Sequence, residues 1–205
     1  SLKTMLGGLL NKYSKTYFSP LSYNNHYGVP LSLSNISPDH TFGVFEVGMS
    51  KFNEIFRLSS LVKPDIGIIT NISEAHLENF RSISDIAKAK GEIISNIQKG
   101  GIIILNRDDS FFNFFKQEAI KNKIQIKSFG YSKKADIRFL KSKKIKNNFY
   151  IELSINKEKI LLPVGSINKS NIMNILGCLS VLDCLGLNHE SIKNYFKKNK
   201  PLKGR

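Results

Sequence analysis

Leu2, Met5, Leu6, Leu9 and Leu10 recur at helical spacing, which predicts a helix over residues 1–13. The pattern then shifts to short apolar runs. "FGVFEVG" (42–48), "DIGIITNI" (65–72), "GIIILN" (101–106) and "IQIKSFG" (124–130) read as buried strands. Between them, "SISDIAKAKGEIISNIQ" (82–98) and "SFFNFFKQEAIKN" (110–122) carry helical periodicity, with Ser82 or Ser84 as the N-cap of the first. Strand and helix alternate, so the expected fold class is α/β: a mostly parallel sheet flanked by helices. From 135 to 164 the period becomes two. "ADIRFLKSKK", "NNFYIELSI" and "EKILLPV" predict a small antiparallel β meander. A long helix follows over 168–186, and another over 188–199 with Asn188 as N-cap and Glu190 in its first turn.

The 205 residues suit one large domain, or one domain plus a fragment. No apolar run approaches the roughly 20 residues of a membrane span. The first residues lack the pattern of a secretory signal, and the expected location is the cytoplasm. Cys178 and Cys184 sit in one apolar helical stretch without metal-ligand spacing, as buried free thiols do. The formal charge is +15, from 31 basic and 16 acidic residues. The lysines are scattered, densest at "LKSKKIKNN" (140–148), and no basic strand is interleaved with aromatics. The excess therefore reads as composition that an anionic small substrate tolerates, and no nucleic-acid partner is expected.

In open α/β sheets ligands bind beyond the carboxyl ends of the strands. That singles out residues 46–50, 71–76 and 106–109. Glu46 lies in an apolar run, where a carboxylate is costly unless paired or bound to a cation, and Mg2+ prefers oxygen ligands. His76 follows the 65–72 run by a few residues, but neutral imidazole is a poor first choice for Mg2+. Lys90 sits among small and apolar residues, where an amine loses basicity. A neutral amine reacts with carbon dioxide to give a carbamate, which turns a cation into an anionic oxygen ligand. Asn24 and Asn25 precede a Gly-Val-Pro turn and either bind a ligand or hold their loop. Asn168 and Asn171 share a helix start, where one can cap and two can read a base edge. Asp108 and Asp109 read as caps of the helix that follows. No complete GxxxxGK[ST] loop occurs in the chain.

These pieces together resemble the Mur ligase family, the ATP-dependent amide ligases of peptidoglycan synthesis. The resemblance rests on "NNHYGVPLSL" (24–33), "FEVGMSKFNEI" (45–55), "KPDIGIITNISEAHLENFRSISDIAKAKGEI" (63–93), "LNRDDS" (105–110), "NKSNIMNILGCLSV" (168–181) and "KPLKGR" (200–205). Its branch that joins D-alanyl-D-alanine to UDP-N-acetylmuramoyl-tripeptide is the most similar.

The resemblance implies a central ATP-binding domain over 1–199, without its first strand and GxxGKT phosphate loop, and the start of a C-terminal domain at 200–205. Such a piece alone is expected to be inactive. The implied metal ligands for Mg2+ are Glu46, His76 and a carbamylated Lys90, with His76 and Lys90 also in catalytic roles. Asn25 is implied near the ATP phosphates, Asn168 and Asn171 beside adenine, and Arg205 at the nucleotide from the domain junction. Ile167 stands where the family usually has histidine, and Ser166 where it has a basic residue. The implied partners are the two small-molecule substrates, and the whole enzyme is expected to be a monomer. Two other readings stand beside this one. The first is an amino-acid-adding Mur ligase or a folylpolyglutamate synthase. The second is a non-catalytic basic binding module on the same scaffold.

Overall fold

A computed structural model describes residues 1–73, 79–189, 192 and 194–198. Helix α1 (Leu2–Leu10) is capped by Ser1, whose hydroxyl accepts the Thr4 amide at 3.3 Å. Its apolar stripe buries Leu6, Leu9 and Leu10, and it packs on α6 and on the first two strands. Strands β1 (Thr16–Phe18) and β2 (Phe42–Val44) pair in parallel, with α2 (Gly28–Ser34) between them in the chain. Helix α3 (Glu54–Val62) leads to β3 (Ile66–Ile69), followed by α4 (Ile83–Gly91) and a 3-10 segment, Glu92–Asn96. Then come β4 (Ile102–Asn106), α5 (Phe112–Lys121) and β5 (Gln125–Gly130). The meander is β6 (Ile137–Ile145), β7 (Asn148–Ile155) and β8 (Glu158–Val164). Helices α6 (Lys169–Cys184) and α7 (Tyr195–Lys198) follow. The cap expected at Asn188 with Glu190 falls partly outside the described residues; the described helix of that stretch is Tyr195–Lys198.

The fold is the α/β arrangement that the alternation implies. Among the described residues the larger sheet has the order β3-β4-β5-β6-β7-β8. Its first three strands are parallel, β6 starts parallel to β5, and β6 to β8 are mutually antiparallel. Alternation sorts the side chains to two faces. Ile104 and Phe129 join α1 and α6 in one apolar cluster, while Ile103 and Leu105 join Phe112, Phe115 and Ala119 of α5 in another. Parallel strands need both faces covered, and these helices cover them.

Two features depart from the expectation. The strand over 42–48 is only three residues long and ends before Glu46, and it belongs to a separate small sheet with β1. The helix expected over 82–98 ends at Gly91, and the 3-10 segment completes it.

One contact ties the small sheet to α1. A Cβ on Gly7 would lie 2.3 Å from Cγ of Phe18. Alanine gains about 1 kcal/mol of helix propensity over glycine, whereas overpacking of this kind costs about 1–3 kcal/mol. Gly7→Ala is therefore expected to lower the thermal midpoint by a few degrees, at about 2–4 °C per kcal/mol for a domain of this size. A raised midpoint would show that the Phe18 ring moves aside without cost.

Candidate functional site

The carboxyl ends of β2, β3 and β4 carry the polar residues singled out above. Glu46 lies two residues past β2, half-exposed, in a loop held from both sides. Asn24 donates its side-chain amide to Oε1 of Glu46 at 3.2 Å, and its carbonyl accepts the Gly48 amide at 2.7 Å. Gly48 is needed for that approach, because a Cβ there would meet the Asn24 amide at 2.9 Å. Farther along, Glu54 accepts the Ser50 and Lys51 amides at 2.5 and 3.2 Å. These bonds, the Ser50 one foremost, hold its carboxyl below the usual carboxylate range. The Glu46 loop is thus fixed by amides on one side and by a carboxylate on the other.

Lys90 is half-buried near the end of α4, and its ammonium donates to the carbonyl of Asn71 at 3.1 Å, just beyond β3. Burial pushes its pKa down, and the charge of Asp109 opposes that shift in part. Helix α4 is capped by Ser82, not Ser84. The residues flanking the two candidate ligands meet in one apolar cluster, where Val47 and Met49 pack with Ile86, Ala89 and Phe80. That packing brings the Glu46 loop and α4 to one end of the molecule. His76, the third implied ligand, lies outside the described residues.

Asp109 accepts the Ile72 amide at 2.7 Å and the Phe111 amide at 2.9 Å. The cap expected there does not form, because the N-cap of α5 is Phe111 without a side-chain cap; Asp109 instead holds the turn before the helix and the loop after β3. Asp108 does something else: its carboxylate accepts the Tyr131 and Ser132 amides at 2.6 and 2.9 Å, so it orders the loop after β5 rather than capping α5.

The paired asparagines separate clearly. Asn25 spends its side-chain oxygen on the Tyr27 and Gly28 amides, at 3.1 and 2.9 Å, at the start of α2. Asn24 is the one whose amide meets Glu46. At α6, Asn168 is the N-cap and accepts the Asn171 amide at 2.8 Å, while Asn171 donates to the Ser166 carbonyl at 2.7 Å. Asn168 is exposed beside a shallow pocket of about 440 Å³ lined by Tyr131, Phe139, Ser142, Ile167, Lys169 and Ile172. Its apolar walls suit a planar ring and its lysine an anion. Arg205 lies outside the described residues.

One buried charged residue among the described residues has no counterpart in the sequence reading. Lys3 is 7% exposed and donates to Ser19 Oγ at 2.7 Å and to the Leu21 carbonyl. Its spacing to Leu6 and Leu10 places it on the apolar stripe of α1, which is the signal that marks it.

The donor set admits Mg2+. Glu46 supplies hard oxygen, and among the described residues its Oε2 has no hydrogen-bond partner. Among them, too, no three His, Cys, Asp or Glu side chains gather into a cage. A Mg2+ ion that keeps waters and leans on substrate phosphates needs no cage. Lys90 contributes oxygen only as a carbamate. Cys178 is buried and Cys184 half-buried; both are free thiols, with burial pushing Cys184 up to about 11. No helix among the described residues is long and apolar enough to cross a membrane.

The sequence matches the Mur ligase middle domain over residues 1–182. It is 34% identical to the UDP-N-acetylmuramoyl-tripeptide–D-alanyl-D-alanine ligase of Rickettsia prowazekii, an alignment covering 100% of this chain and 46% of that protein. The chain thus spans about half the length of this curated relative. The structure superposes on MurF from Acinetobacter baumannii with a TM-score of 0.90 at 26% identity, covering 100% of this chain and 44% of that one. MurF ligase from Thermotoga maritima, solved in complex with ADP, shares the fold at a TM-score of 0.87 and 23% identity, over 100% of this chain and 46% of that one. With the middle-domain match running through both candidate ligand loops and the start of α6, the chain belongs to the Mur ligase family.

Proposed function

We propose that this protein adds D-alanyl-D-alanine to UDP-N-acetylmuramoyl-tripeptide in peptidoglycan precursor synthesis, in an ATP-dependent reaction. The observation that carries the reading is the 34% identity to the Rickettsia ligase across the whole chain. In this reaction the tripeptide carboxylate attacks the γ-phosphorus of ATP, giving an acyl phosphate and ADP. The amine of D-alanyl-D-alanine then attacks the acyl carbon, the carbon–oxygen bond to phosphate breaks, and the ammonium proton leaves. Such catalysis consists of positioning and charge neutralisation. Mg2+, when bound, neutralises the phosphate oxygens.

The residues of this chain divide that work. Glu46 offers a carboxylate oxygen, steadied by Asn24. Lys90, its basicity lowered by burial, is suited to lose a proton and attack carbon dioxide, forming a carbamate that joins Glu46 and His76 on the metal side. Asn168 and Asn171, with the neighbouring pocket, face the nucleotide base, and Arg205 reaches the nucleotide. In this reading Asn25 acts near the phosphates through the turn that it caps.

β2 and β3 each have one unpaired edge among the described residues, and Val44, Ile66 and Ile68 contribute to one apolar cluster. A further parallel strand between those edges would join the two sheets. We assign that place to the strand leading into the phosphate loop. Residues 1–199 are then the ATP-binding domain and 200–205 open the next. The protein works as a cytoplasmic monomer on small molecules, a setting in which its thiols stay reduced.

The test is ADP release by the complete gene product with Mg·ATP, UDP-N-acetylmuramoyl-tripeptide and D-alanyl-D-alanine. Release that requires both substrates is expected. Release with a single amino acid in place of the dipeptide would move the protein to another branch. Absence of release with every acceptor would reject the ligase reading.

A further inference from the structure

We propose that Lys3 is a positioning residue for the Glu46 centre: its buried ammonium braces the 19–25 segment against α1 so that Asn24 meets Glu46. The chain of contacts is continuous. From the first turn of α1, Lys3 reaches across to Ser19 Oγ at 2.7 Å and to the Leu21 carbonyl. Ser19 is itself buried, and its hydroxyl donates to the same Leu21 carbonyl at 3.3 Å. Two tight turns follow, in which Tyr23 donates to Leu21 at 2.8 Å and Asn24 to Ser22 at 2.9 Å. Asn24 then grips the Glu46 loop twice, through its amide on Glu46 and its carbonyl on Gly48.

The chemistry of Lys3 argues for more than packing. A methionine of similar length would fill the same space without a charge to desolvate. Among the described residues Lys3 has only neutral acceptors, and no carboxylate lies within ion-pair distance of it. The acid whose field it feels is Glu46. Lys3 fixes the loop that steadies the Glu46 carboxylate.

The proposal rests on the reading of Glu46 as a metal-side ligand, and the test separates the two. Binding of Mn2+·ATP to the complete gene product is followed by the electron paramagnetic resonance of Mn2+, for the wild type, Lys3→Met, Lys3→Arg and Glu46→Gln. Lys3→Met is expected to weaken binding about tenfold, the scale of losing a group that orients a metal ligand. Lys3→Arg, which keeps charge and donors, is expected to recover part of it. Wild-type binding by Lys3→Met, with Glu46→Gln impaired, would overturn the role of Lys3. If Glu46→Gln also binds normally, the reading of Glu46 fails instead. The bracing is then decided by hydrogen exchange at the Tyr23 and Asn24 amides, which is expected to accelerate in Lys3→Met. Should that variant not fold, Ser19→Ala removes one acceptor and is read the same way. Unchanged exchange overturns the bracing.

Discussion

Lys90→Ala is expected to lower ADP release by the complete enzyme about 10²–10³-fold, the range found when a preorganised charge-stabilising group is removed. The reasoning starts from burial. Lys90 is half-buried, its one hydrogen-bond acceptor among the described residues is the Asn71 carbonyl, and burial lowers its pKa. A surface lysine would stay protonated and inert toward carbon dioxide; this one yields a larger share of neutral amine. Lys90→Arg is expected to fail as badly, because a guanidinium keeps the charge and forms no carbamate. An active arginine variant would show that Lys90 works as a cation, and full activity in Lys90→Ala would remove it from the reaction.

Stability carries the same signature with a definite sign. The unfolded chain holds the Lys90 proton up to its ordinary value near 10.5, and the folded chain releases it at lower pH. Between those two values the unfolded state binds more protons, so the contribution of Lys90 to stability rises with pH across that window. Below the folded pKa the penalty is fully present and flat. Urea unfolding of the wild type and Lys90→Met across alkaline pH measures the difference. An identical pH slope in the two proteins would contradict the lowered pKa.

Glu46→Gln is expected to reduce ligation by a similar 10²–10³-fold and to raise the Mg2+ concentration needed for half-maximal rate. Glutamine keeps the shape and an oxygen for Asn24 to donate to, so the loop is preserved and only the negative charge is lost. Glu46 is half-exposed, so its replacement is expected to move stability little. The two readouts therefore separate chemistry from folding. A variant with unchanged Mg2+ dependence would place the metal elsewhere.

Much of this was legible in one dimension. The runs at 65–72, 101–106 and 124–130 announce β3, β4 and β5 because strands covered on both faces must be apolar throughout. The period-two stretch at 135–164 announces the meander for the opposite reason. Three elements escaped. β1 is three residues long, too short for any period to show, and the α2 segment "GVPLSLS" puts a proline in its first turn with little apolar periodicity. The third, α3, carries a helical pattern, but it follows a turn that holds Asn53 at a φ of 67° and has no side-chain cap.

By itself the sequence determined the alternation of strands and helices, the meander, the polar residues beyond the strand ends, Glu46, Asp108 and Asp109 among them, and Lys90 on α4. It did so because burial and backbone pairing impose local periods, and polar residues interrupt those periods. Only the tertiary structure decided the partners. Asn24 rather than Asn25 meets Glu46, Asp108 orders the β5 loop rather than α5, and Lys3 turns inward to Ser19. These choices depend on which side chains meet across segments far apart in the chain. Hydrogen-bond geometry over about 3 Å is settled by packing, and no local pattern encodes it.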